Sequence, residues 1–173
     1  GTGHALNQAL PGIPDDHQIL VLFGDVPLVT TASLRALLEQ APSDGVALLT
    51  AIVEKPKGYG RVLRDDSGAV TAIVEDKDAT PAQRAIKEIN TGLMVLPGGA
   101  IRRWVEAVRD DNAQGEFYLT DVISVAVGEG VPVVGVSVAE SNEVLGINDR
   151  VQLAAAERVL QRRYALEVMA QGA

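Results

Sequence analysis

Asp25 stands two residues beyond an apolar run, Ile19–Phe23 (ILVLF), with Gly24 between them. A run that is apolar at every position fits a strand buried on both faces of a parallel sheet. In open α/β sheets, ligands bind beyond the carboxyl ends of such strands. A carboxylate there suits a hard, oxygen-seeking cation such as Mg²⁺, held by one or two protein oxygens together with substrate phosphates. Gly24 leaves room for a ligand to approach. The competing reading of Asp25 is a turn residue bonded to its own backbone.

Four further residues have suitable chemistry. Asn148 precedes the last helical stretch; its amide oxygen is a legitimate Mg²⁺ ligand, although the simpler reading is a helix N-cap. Glu75 and Asn90 lie at or near strand ends. Glu offers two acceptors and Asn both donor and acceptor, as sugar hydroxyls require; a solvated turn carboxylate and an Asn easing entry into a strand are the plain alternatives. Gly60, between Tyr59 and Arg61, permits an unusual backbone angle or close ligand approach. His4 and His17 read as surface or packing residues, and the Asp15-Asp16 and Asp110-Asp111 pairs as solvated loops.

The elements that must position these residues alternate in type. Val46–Val53 and Ile89–Leu96 read as buried strands, and Val131–Val138 as a Val-rich one. Thr31–Gln40 reads as a helix, with Thr30 or Thr31 as cap and Pro42 as breaker. Residues 55–75 read as a hairpin-like excursion around the tight turn Asp65–Gly68. Thr80–Lys87 begins a short helix with Pro81 at its first position. Ala100–Val108 and Phe117–Val127 are expected helices joined by the polar link Asn112–Glu116. A long helix from about Asp149 to Met169 carries Leu153, Ala156, Leu160, Tyr164 and Val168 as one apolar stripe. The expected class is α/β, with an inserted β excursion.

Composition narrows the chemistry. The 173 residues carry a formal charge of −8, which argues against a nucleic-acid backbone or an anionic membrane as partner. There is no Cys, hence no disulfide, thiolate site or thiol nucleophile, and only two His. No apolar run approaches the roughly 18 residues of a membrane span. A cytoplasmic setting is the expectation, and the Gly-Thr-Gly start without Met reads as a fragment.

These scattered signals fall into one order. GTGHA at Gly1–Ala5, FGDVPL at Phe23–Leu28, GYGR at Gly58–Arg61 and IVEDKDAT at Ile73–Thr80 are followed by EINTG at Glu88–Gly92. NAQGEFYLTD at Asn112–Asp121 and GINDR at Gly146–Arg150 complete the set. In sequence and spacing the chain resembles the bacterial bifunctional N-acetylglucosamine-1-phosphate uridyltransferase/glucosamine-1-phosphate acetyltransferases. The resemblance covers nearly the whole chain.

It implies a Rossmann-like nucleotide-diphospho-sugar transferase fold with a mostly parallel sheet. Residues 1–150 would form part of the uridyltransferase domain and 151–173 its C-terminal linker helix. The reaction implied is transfer of uridylyl from UTP to N-acetylglucosamine 1-phosphate, giving UDP-N-acetylglucosamine and pyrophosphate. Gly1 and Thr2 match uridine contacts; Phe23, Gly24 and Asp25 match the segment after the central strand, where the family usually has Tyr in place of Phe23. Asp25 and Asn148 match the Mg²⁺ ligands, and Gly60, Glu75 and Asn90 the contacts to the sugar.

The family's Gly-rich, Arg- and Lys-containing phosphate loop has no counterpart in these 173 residues. Nor has its C-terminal hexapeptide-repeat β-helix, which carries acetyl transfer and trimerisation. The expectation is that this chain alone binds UTP poorly and turns over little. The rival readings are a sugar nucleotidyltransferase of other specificity and a non-catalytic sugar-nucleotide-binding α/β module.

Overall fold

The strand Glu88–Pro97 (β5) organises the sheet in the computed structural model, which describes residues 1–172. Along one edge it pairs with β2 (Val46–Ile52). Along the other it meets β3 (Arg61–Arg64) near its start and β1 (Gln18–Val21) near its end. β4 (Val70–Val74) closes the expected hairpin with β3, and β6 (Val133–Ser137) lies outside β2. The order is β4-β3-β5-β2-β6, with β1 on β5.

The α/β class is as expected, but the pairing is not mostly parallel. Only β2–β6 is parallel among the described ladders; the others are antiparallel. An all-apolar run reports burial on both faces and carries no information on direction. The direction of β5 follows from the β3–β4 excursion, which returns the chain to the sheet reversed. β1 is also shorter and less buried than its apolar run implies. It ends at Val21, and Leu22 is half-exposed; among the described residues β1 pairs with β5 alone.

Alternation along β2 and β5 divides the core in two. Val46, Leu48, Met94 and Leu96 face one cluster, which includes Ile101, Trp104, Val122 and Ile123. Ala47, Leu49, Ala51, Leu93 and Val95 face the other, with Leu37 and Val144. Burial on both faces explains why β2 is apolar through nearly its whole length. The first cluster is covered by α4 (Gly98–Ala107) and α5 (Asp121–Gly128), the second by α2 (Thr31–Gln40).

Local signals set the helix starts. The Thr30 hydroxyl accepts from the Ser33 N–H at the start of α2. Thr80 and Gln83 form a reciprocal capping box on α3 (Pro81–Arg84). α5 starts at Asp121, later than the expected Phe117, and residues 118–120 instead line a cleft. The N-terminal helix α1 (Thr2–Ala9) carries no cap signal in its sequence and was not foreseen.

The final helix α6 (Arg150–Ala170) runs as expected, but its stripe faces solvent. Ala156 is buried, whereas Leu153, Leu160, Tyr164 and Val168 are exposed. Among the described residues no helix is long and apolar enough to cross a membrane.

Candidate active-site cleft

A cleft of about 400 Å³ opens beyond the carboxyl end of β1. Thr2, Phe23, Asp25, Gly60, Glu75, Asn90 and Asn148 line it together, although they come from points spread along the chain. Gly1 and Gly24 do not. Gly1 packs against the Glu116–Phe117 segment, where a Cβ would lie 2.7 Å from the Phe117 carbonyl oxygen. Gly24 is exposed, with open space where a Cβ would stand.

One side of the cleft is built on a bulge in β5. Leu48 pairs with Met94 but Thr50 pairs with Asn90, so the β5 side carries extra residues between those rungs. Gly92 sits in this bulge at φ +83°, the left-handed region that favours glycine. A Cβ on Gly92 would lie 2.1 Å from the Phe23 ring, so glycine is required by space as well as by angle. The Asn90 Oδ1 accepts from the Gly92 N–H at 3.2 Å, and the Thr91 hydroxyl donates to the Leu49 carbonyl at 2.7 Å. The NTG of the EINTG motif is therefore the bulge itself. It leaves the side-chain Nδ2 of Asn90 as the group available to a ligand.

Gly60 and Glu75 join Asn90 on this side. The Asn90 N–H donates to the Gly60 carbonyl at 2.8 Å. A Cβ on Gly60 would meet both Glu75 carboxylate oxygens at 3.4 Å and Ile73 Cγ2 at 3.0 Å. Glu75 Oε1 accepts from the Thr120 hydroxyl at 2.9 Å. Burial pushes the Glu75 carboxyl above the usual range, and the charges of Asp121, Asp78 and Asp76 add to that; the Thr120 hydroxyl opposes it. Burial also raises Asp121, with Asp78 adding. Behind them the buried Arg61 pairs with Asp76 at 2.9 Å and donates to the Tyr59 carbonyl, pinning the GYGR turn.

Asp25 and Asn148 form the other side. Both are exposed into the cleft, and the Ile147 N–H donates to the Asp25 carbonyl at 2.9 Å. Asn148 is not the cap of α6. Asp149 is, its carboxylate accepting from the Gln152 N–H at 2.7 Å. The Asn148 N–H donates in turn to Gln152 Oε1 at 2.6 Å. Its side chain is thus spared from capping.

Among the described residues no three His, Asp or Glu side chains converge as a metal group. One carboxylate and one amide oxygen, open to the cleft, fit a hard cation that draws its other ligands from water and a bound phosphate.

Sequence reasoning missed much of the remaining wall. Gln114, Tyr118 and Thr120 line the cleft, and Gln114 Nε2 donates to the Tyr118 hydroxyl at 2.7 Å. This stretch is tied to the turn after β4: Lys77 donates to Gln114 at 2.7 Å and the Ala113 N–H to Asp78 at 2.9 Å. Thr2 Oγ1 accepts from the Leu119 N–H at 3.1 Å, which seats the N-terminal segment against the same wall. The signal available was the NAQGEFYLTD motif at Asn112–Asp121, which carries the resemblance but to whose residues no site role is assigned from sequence.

The nucleotidyl transferase family model matches residues 1–141. The chain is 58% identical over 172 residues to the bifunctional protein GlmU of Alkalilimnicola ehrlichii, covering 99% of this chain and 37% of that protein. Identity to the bifunctional protein GlmU of Pseudomonas aeruginosa PAO1 is 54% over the same length, covering 99% of this chain and 38% of that protein. The chain thus spans little more than a third of these relatives.

Two solved structures share the fold. One, assigned as a glucose-1-phosphate thymidylyltransferase from Bacillus anthracis, gives a TM-score of 0.65 at 18% identity, covering 92% of this chain and 60% of that one. The other is a CMP:2-keto-3-deoxy-manno-octonic acid synthetase with CTP, at a TM-score of 0.66 and 14% identity, covering 94% and 69%. With its fold, its cleft and a family match over most of its length, this chain belongs to the nucleotidyl transferases.

Proposed function

We propose that the chain forms part of a uridyltransferase site, making UDP-N-acetylglucosamine and pyrophosphate from UTP and N-acetylglucosamine 1-phosphate. The observation that carries the reading is the meeting of Asp25 and Asn148 with Gly60, Glu75 and Asn90 in one cleft. The 58% identity to a GlmU protein supports the choice of substrates over those of other nucleotidyl transferases.

The Asp25 carboxylate and the Asn148 amide oxygen would hold Mg²⁺, which when bound supplies charge neutralisation to phosphate oxygens. The remaining residues position. Gly60 lets the sugar approach the backbone, Glu75 accepts from a sugar hydroxyl, and the Asn90 amide donates to the sugar. Thr2 and Phe23 border the nucleotide side, with Gly1 and Gly24 as their chain neighbours outside the lining. A phosphate monoester has its second pKa near 6, so the attacking oxygen is already anionic at neutral pH. That oxygen bonds to the α-phosphorus of UTP while the bond to pyrophosphate breaks. No side-chain base is needed; catalysis is in-line alignment with charge stabilisation. A cytoplasmic setting and trimerisation through a β-helix in a longer protein belong to the same reading.

Titration of UDP-N-acetylglucosamine with and without Mg²⁺ tests it. Binding is expected to require Mg²⁺ and to be lost in Asp25→Ala and Asn148→Ala. Magnesium-independent binding, or equal affinity for UDP-glucose, overturns it.

A further inference from the structure

We infer that Glu143, outside the cleft, is a positioning residue that fixes Asn148 against Asp25; this rests on the reading of those two residues as the metal pair. Glu143 is a buried carboxylate, 5% exposed, in a short 3₁₀ turn, Ser141–Val144, that leads into GINDR. Its carboxylate is bonded to the start of α2. Its Oε2 accepts from the Thr30 N–H at 3.2 Å, the Thr30 hydroxyl at 2.8 Å and the Ser33 hydroxyl at 2.6 Å. An anion at a helix N-terminus is also favoured by the helix dipole.

The consequence lies in what these partners hold. Residues 24–30 form the loop that carries Asp25; residues 143–149 form the loop that carries Asn148. Glu143 ties the far end of the second loop to the far end of the first. The Ile147-to-Asp25 backbone bond ties the near ends. Val144, 2% exposed, seats the stretch between in the core. Arg163 on α6 donates to the Leu28 carbonyl at 2.6 Å and adds a third tie to the same loop. Asn148 itself is held from behind through Gln152.

The two ligands thus stand on two loops bound face to face, with one buried carboxylate at the root. A carboxylate there need not touch metal or substrate to set their separation. Partners bonded directly to a ligand typically alter metal affinity about 10–100-fold; Glu143 acts one step further out, through the two loops, so the lower end of that range is expected.

The test uses the 173-residue chain, Mn²⁺ as a paramagnetic probe with UDP-N-acetylglucosamine, and hydrogen exchange of the Ile147 amide. Glu143→Ala is expected to weaken Mn²⁺ binding by about tenfold and to speed exchange at Ile147. Glu143→Gln, which keeps an acceptor oxygen, is expected to restore most of both. Ile101→Val, in the core on the opposite face of the sheet, serves as the control for lost stability and is expected to move neither. Should Glu143→Ala not fold, Ser33→Ala removes the shortest of the three bonds and is expected to shift both readouts in the same direction.

Wild-type Mn²⁺ affinity in the Glu143 or Ser33 variants, with loss in Asp25→Asn, overturns this inference and leaves the metal reading standing. Equal Mn²⁺ binding by wild type and Asp25→Asn overturns the metal reading and this inference with it.

Discussion

The Ile147 N–H donates to the Asp25 carbonyl at 2.9 Å, so the residue beside Asn148 is bonded to the backbone of the other proposed metal ligand. Asn148 and Asp149 are adjacent in sequence yet divide their work. Asp149 caps α6, while Asn148 faces the cleft. Substituting them separates stability from binding.

Asp149→Ala is expected to lower unfolding free energy by about 1 kcal/mol, the usual cost of a lost cap, with little effect on Mg²⁺-dependent UDP-N-acetylglucosamine binding. Asn148→Ala is expected to do the reverse. Urea unfolding and calorimetric titration of both variants give the comparison, and a shared pattern would count against the division.

Gly92 offers a steric test. Gly92→Ala places a methyl against the Phe23 ring and forces an L-residue into φ +83°. The expected loss is about 2–4 kcal/mol, combining backbone strain and overpacking. Phe23→Ala in the same chain should recover the overpacking share but not the strain. Denaturation of the two single variants and the double would show a coupling between them, and simple additivity would mean the ring moves aside freely.

Glu75 makes stability depend on pH. Its folded carboxyl is raised chiefly by burial, so the folded protein favours the protonated form. Its contribution is full below the unfolded carboxyl value and is lost as pH rises through the higher folded value. That contribution is therefore expected to fall as pH rises above about 4, the ordinary carboxyl range, against the opposite trend set by lowered carboxyls such as Glu129. The difference between wild type and Glu75→Gln isolates it, because Asp121 is raised in both. Urea midpoints at stepped pH measure the slope.

On α6 the expected effects run against apparent hydrophobicity. Leu160→Ala and Tyr164→Ala, at exposed positions, should each change stability by about 0.5 kcal/mol or less. Ala156→Leu, at a site 3% exposed, should cost about 1–3 kcal/mol through overpacking. Thermal melts of the three variants decide it.

What the sequence made legible follows from which signals are local. Thr30, and Thr80 with Pro81, announced their helices because a cap is made within four residues of itself. The hairpin of β3 and β4 was readable from its turn. Strand direction was not, because Ile19–Phe23 would be equally apolar in either orientation. The apolar stripe of α6 likewise gives a face but not what lies against it. The choice between Asn148 and Asp149 as cap hung on one residue of phase. Only the ordered motifs brought Gly60, Glu75, Asn90 and Asn148 forward together, and Thr120 stayed hidden because its role comes from Glu75, far away in sequence.

The position of β5 also governs how the chain must assemble. Its end pairs with the earliest strand, Gln18 opposite Pro97, and its start with the hairpin that precedes it. Such distant partners make loop closure costly before any ladder can compensate, so folding should be slow for a chain of this size. During synthesis from the N-terminus, β1 emerges long before β5 exists to receive it. Until Met94–Pro97 leave the ribosome, Ile19–Val21 lack the β5 edge on which they finally pair, and an apolar strand waiting for its partner is the kind of surface that chaperones shield and that aggregates recruit.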